Sequence, residues 1–129
     1  MLIPQGLRYT KTHEWAKRQD GEIVIGITAH AQEELRDVVY AEPPAAGKTL
    51  KQGDPAAVVE SVKAAFDIYA PVSGTVTRVN AELAKTPQLV NQDCYGKGWF
   101  FALKPSDPKE WEALMSAAAY QQMVQATAH

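Results

Sequence analysis

Hydrophobic residues fall along the first hundred positions in short runs, either alternating with polar residues or β-branched throughout. Glu22–Ile27, Val38–Ala41, Ala57–Val62, Phe66–Ala70, Gly74–Val79 and Trp99–Leu103 are such runs. Short strands with turn signals between them predict an all-β sandwich or barrel. Asp20-Gly21 reads as a hairpin turn, because Gly accepts the positive φ such turns demand. Gln52-Gly53-Asp54-Pro55 and Pro71-Val72-Ser73-Gly74 are further turns.

Three helices interrupt this pattern. Thr28 caps a short one over Ala29–Leu35, with Gln32, Glu33 and Glu34 on its wet face. Asn80–Ala84 reads as one or two turns, stopped before Pro87. The longest is predicted at about 107–125, with Asp107 as cap, Pro108 in the first position and Glu110 completing a capping box. Behind that cap Trp111, Leu114, Met115 and Ala118 form one apolar stripe, which packs this helix on the β core.

The chain also echoes itself. A strand ending in Tyr40-Ala41, a Pro turn, Gly47 and a second strand are followed by Tyr69-Ala70, Pro71, Gly74 and another strand. The echo predicts two similar β units about a pseudo-twofold axis, with Ala57–Ala70 as a hairpin between them.

Composition narrows the classes. The 129 residues suit a single domain spanning positions 1–129, large enough to bury a core without a metal or disulfide staple. Thirteen basic and fifteen acidic side chains give a net charge of −2, which supplies no basic excess for nucleic acid. The single cysteine, Cys94, has no internal partner and fits a reducing compartment. Met1–Gln5 is broken by Pro4 too early for a signal h-region, and the Ala- and Gln-rich tail lacks the apolar run a bilayer requires. The expected location is the cytoplasm, with no membrane partner.

Chemistry concentrates at one turn. Val62-Lys63-Ala64-Ala65 joins two strands, and alanines stand where turns usually carry Gly, Asn or Asp. Small neighbours leave the Lys63 ammonium unobstructed, as a modifying enzyme or a swinging arm needs. A Schiff-base enzyme would instead require a buried lysine of depressed pKa, for which a hairpin tip is the wrong place. An ordinary surface lysine on an interaction module is the plainer alternative. Other sites weaken on inspection. His13, His30 and His129 lack zinc-type spacing, so no metal is expected. His13 and Cys94 lack a third group to orient them as a nucleophile–base pair, and Gly96-Lys97-Gly98 is too short for a phosphate loop.

Several ordered patches resemble the H-protein family of the glycine cleavage system, which are lipoyl carriers. Glu60-Ser61-Val62-Lys63-Ala64 is similar to the family's lipoyl-attachment motif, and Tyr9–Trp15 to its N-terminal signature. Gly26-Ile27-Thr28, Pro71-Val72-Ser73-Gly74, Pro87–Asn91 and Gly98-Trp99 match in order and spacing, so the likeness runs over roughly residues 6 to 120. Met does not flank the lysine as in biotin carriers, nor does Asp precede it as in 2-oxoacid dehydrogenase domains.

The resemblance implies a barrel-sandwich hybrid of two antiparallel sheets, with lipoate bound covalently on Lys63. It implies a carrier and not an enzyme, moving the aminomethyl group of glycine from a pyridoxal-phosphate glycine decarboxylase to an aminomethyltransferase. Dihydrolipoyl dehydrogenase and lipoate-attaching enzymes are the other implied partners, and a relay of lipoate to other proteins is the alternative role. Glu60, Ser61 and Val62 would mark the lysine for the attaching enzyme, and Glu60 and Ser61 are expected to serve modification rather than the fold. Thr12, Glu14 and Asp67 would contact the loaded arm, although as residues alone Glu14 and Asp67 read as solvated surface acids. Two departures stand out: Leu35-Arg36-Asp37 lacks the family's helix-ending Gly, and Asp93-Cys94-Tyr95 replaces Asp-Pro-Tyr.

Overall fold

The structure, a computed structural model, describes residues 2–127. Among the described residues nine strands form two antiparallel sheets. The larger contains β1 (Arg8–Tyr9), β2 (Glu14–Gln19), β3 (Glu22–Ile27), β9 (Phe101–Pro105), β8 (Gly74–Val79) and β5 (Thr49–Leu50), in that spatial order. The smaller contains β4 (Val38–Glu42), β6 (Pro55–Ser61) and β7 (Ala65–Tyr69), with β6 central.

The two echoed segments follow the same path. β4 and β7 form the edges of the small sheet, and each leads through a Pro turn into the large one. There the continuations β5 and β8 pair antiparallel, Thr49 opposite Thr75 and Leu50 opposite Gly74. Ile23, Ile25, Ile27, Val59, Ile68, Val76, Phe101 and Leu103 fill the space between the sheets.

β3 is apolar on both faces because both are covered. Its isoleucines point into the sandwich, while Val24 belongs to a second cluster with Tyr9, Trp15, Ala117, Tyr120 and Val124. Gly26 admits the Trp15 indole, since a Cβ there would lie 2.7 Å from the ring. Trp15 Nε1 donates to the Cys94 carbonyl at 2.8 Å, which anchors the loop after α3 (Leu89–Gln92) to β2.

α1 (Ala29–Leu35) forms as its sequence predicts, with Thr28 Oγ1 accepting from Ala31 N. Its C-cap Arg36 takes φ 64°, the turn that glycine would make without strain. Asn91 holds that turn, donating from Nδ2 to the Arg36 carbonyl and accepting at Oδ1 from Val38 N. α2 (Glu82–Lys85) lies where one was predicted, and α3 follows beyond Pro87 where none was.

The expected continuous helix over 107–125 is corrected to two pieces, α4 (Pro108–Glu112) and α5 (Ala117–Thr127). Met115 exchanges both backbone hydrogen bonds with Tyr9, at 2.9 Å each, so its peptide groups are unavailable to a helix. Ser116 then restarts the chain by accepting at Oγ from Ala119 N. The buried stripe of α5 is Ala117, Tyr120 and Val124, and Ala118 is exposed. Glu110 forms no capping box; its carboxylate accepts from Ser73 N and Oγ, while Asp107 caps by accepting from Lys109 N.

Candidate functional site

Lys63 stands at the tip of the β6–β7 hairpin, exposed, beside a Val62 that is 88 % exposed. Ser61 shapes this tip. Its Oγ accepts from Lys63 N at 3.2 Å and Ala64 N at 3.0 Å, and its own N–H donates to the Ala64 carbonyl at 2.7 Å. The hydroxyl thus does the work usually left to Gly, Asn or Asp, which explains how a turn of valine and alanine closes. Ser61 therefore also has a structural part, contrary to the expectation that it leaves the fold alone. Glu60 lies one residue back, half-buried and paired in register with Tyr40 and Ala65.

The same hairpin walls a cleft of about 510 Å³. Val59, Phe66 and Ile68 give it an apolar side, Asp67 lies along it, and Thr12 of the β1–β2 turn and Glu14 at the start of β2 close it. Asp67 is exposed, as expected. Glu14 is not a surface acid: it is 1 % exposed. Alternation along β2 turns Glu14 and Ala16 inward, on the opposite face from Trp15. The carboxylate accepts from the Thr10 hydroxyl, from Thr12 Oγ1 at 2.6 Å and from Tyr69 N at 3.2 Å.

Burial raises the Glu14 pKa above the usual carboxyl value, and the donated hydrogen bonds oppose that shift. Among the described residues no lysine, arginine or histidine forms an ion pair with it. A buried carboxylate with donors but no counter-ion is costly to keep charged, and an opposite charge placed beside it would offset that cost.

Sequence spacing separated His13 from His30, yet the fold brings their ring centroids to 4.3 Å, with the planes tilted by 31°. His129 lies outside the described residues. Cys94 is buried and its thiol is pushed up to about 11, so it is no thiolate nucleophile at neutral pH. No helix among the described residues is long and apolar enough to cross a membrane.

A β-sandwich that extends one lysine on a hairpin beside an acid-ended cleft defines a carrier domain. Comparison with known proteins makes the assignment specific. The family described as Glycine cleavage H-protein matches residues 7–127. A glycine cleavage system H protein of Nitrosospira multiformis is 52 % identical over 130 residues, covering 100 % of both chains. One of Thermus thermophilus is 51 % identical over 128 residues, covering 99 % of this chain and 100 % of its own. The crystal structure of an H protein from Mycobacterium marinum superposes with a TM-score of 0.86 at 31 % identity, covering 98 % of this chain and 100 % of that one. The chain belongs to the glycine cleavage H-protein family.

Proposed function

We propose that the chain is a single-domain, cytoplasmic, non-enzymatic shuttle that carries lipoate as an amide on Lys63. It takes the aminomethyl group of glycine from the pyridoxal-phosphate decarboxylase and delivers it to the aminomethyltransferase, and dihydrolipoyl dehydrogenase restores the disulfide. The observation that carries this reading is Glu14, a buried carboxylate without a counter-ion among the described residues, closing the cleft whose wall ends in Lys63. When attached, the dithiolane accepts a group and two electrons at its sulfurs and gives them up again.

The residues of the chain fit such an arm along its length. Val59, Phe66 and Ile68 offer an apolar wall to an aliphatic tether. Glu14 and Asp67 offer carboxylates to an ammonium cargo, and burial makes the Glu14 contact stronger than any equivalent in water. Thr10 and Thr12 hold the Glu14 carboxylate in place by donating to it. By shielding the cargo from water the cleft slows its loss between partner enzymes. At the tip, Glu60, Ser61 and Val62 present the lysine to a lipoate-attaching enzyme, Ser61 by fixing the turn and Val62 by an exposed apolar contact.

The test is intact mass after expression in a lipoylating host. A lipoyl increment mapped to the Lys63 peptide is expected, and an unmodified chain under those conditions contradicts the proposal.

A further inference from the structure

At the mouth of the cleft three potential metal ligands converge from two elements. His13 belongs to the β1–β2 turn, and His30 and Glu34 lie at i and i+4 on one face of α1. One ligand atom from each lies within 4.8 Å of the others. In a tetrahedral site with metal–ligand bonds of about 2.0–2.1 Å, donor atoms stand about 3.3 Å apart, so modest side-chain rotations close the set. His30 Nε2 and Glu34 Oε1 are already 2.6 Å apart. A cation between them replaces that contact with two shared bonds.

His13 is held for such a role. Its φ is 71°, in the left-handed region that glycine favours and that strains a residue with a Cβ. The conformation is fixed from behind: Nδ1 meets Tyr120 Oη at 2.7 Å, and Tyr120 Oη meets Thr28 Oγ1 at 2.7 Å. A hydrogen-bonded Nδ1 leaves Nε2 as the coordinating atom, the arrangement in which a second group orients a metal-bound imidazole.

We propose that His13, His30 and Glu34 form a binding site for a divalent zinc-class cation, with a fourth coordination position open to solvent and to the cleft. Two imidazoles and one carboxylate suit Zn²⁺ and its spectroscopic substitute Co²⁺, and disfavour Ca²⁺ and Mg²⁺, which require mainly oxygen ligands. His13 and Glu34 also line the lysine cleft, so the cation would stand beside whatever Lys63 carries. The site is independent of the lipoyl reading, because all three ligands are side chains of the chain itself.

The experiment uses full-length protein with Lys63 unmodified, titrated with Zn²⁺ by calorimetry and with Co²⁺ by visible absorption. One ion per chain is expected, with an intense tetrahedral-type Co²⁺ spectrum. His30→Asn and Glu34→Gln should each weaken binding about tenfold or more, with thermal unfolding measured in parallel. Glu34 is 52 % exposed, so Glu34→Gln keeps the test valid if a histidine variant folds poorly. Absence of saturable binding overturns the proposal. So does binding that survives both substitutions, which would place the ion elsewhere, such as at His129.

Discussion

A carboxylate buried without a counter-ion should leave a signature in stability as well as in function. Because burial raises the Glu14 pKa, the folded chain holds that proton more tightly than the unfolded chain does. Folding is therefore favoured while Glu14 is protonated, and this contribution is lost as pH rises through the folded pKa. Glu14→Gln, neutral throughout, should gain stability relative to the parent as pH rises above the ordinary carboxyl range, with no such gain below that range. Denaturant unfolding of both proteins at several pH values checks this. The same residue should cost function in the other direction: Glu14→Ala should take lipoate normally yet release ammonia and formaldehyde faster once loaded, in the absence of the aminomethyltransferase. At the tip, Ser61→Ala removes the acceptor for two backbone N–H groups, so its lipoylation should slow more than that of Glu60→Ala. In vitro lipoyl transfer compares the two, and equal, parent-like rates would remove both residues from recognition.

Among the elements, α1 ends on a residue poorly suited to its conformation. Arg36 at φ 64° occupies a glycine position, and strain of this kind costs about 1–3 kcal/mol. Arg36→Gly should raise the unfolding free energy by about 1 kcal/mol, after allowing for the extra entropy of glycine in the unfolded chain. Thermal and denaturant unfolding measure it; a loss of stability would mean that the arginine side chain makes a compensating contact. The Thr28 cap was legible in the sequence, whereas the missing family glycine marked only a departure at Arg36 and left the conformation of that turn open. The break in the C-terminal helix was not, because it arises from Met115 pairing with Tyr9, more than a hundred residues away. Ser116 before an alanine run was the one local sign of a restart. Strand β2 escaped the pattern reading because Lys17, Arg18 and Gln19 are all exposed and mask its period of two. With β2 unread, Glu14 could not be assigned to the inner face.

At the level of the whole molecule, the fold brings together what the sequence keeps apart. The Lys63 turn was readable because its chemistry lies in five consecutive residues. The cleft was not, since it joins the β1–β2 turn, α1 and β7, and the His13–His30 pair needs the same long-range closure. Two sheets sharing one core hold these parts in register, while Lys63 at the hairpin tip is exposed. Function and stability should therefore separate at Lys63. The most direct test is glycine cleavage reconstituted with purified partner enzymes, using lipoylated parent protein and Lys63→Arg treated identically. Turnover is expected with the parent and none with Lys63→Arg, whose thermal unfolding should match the parent, because a guanidinium cannot form the lipoyl amide. Glycine cleavage sustained by Lys63→Arg would contradict the assignment of Lys63 as the carrier residue.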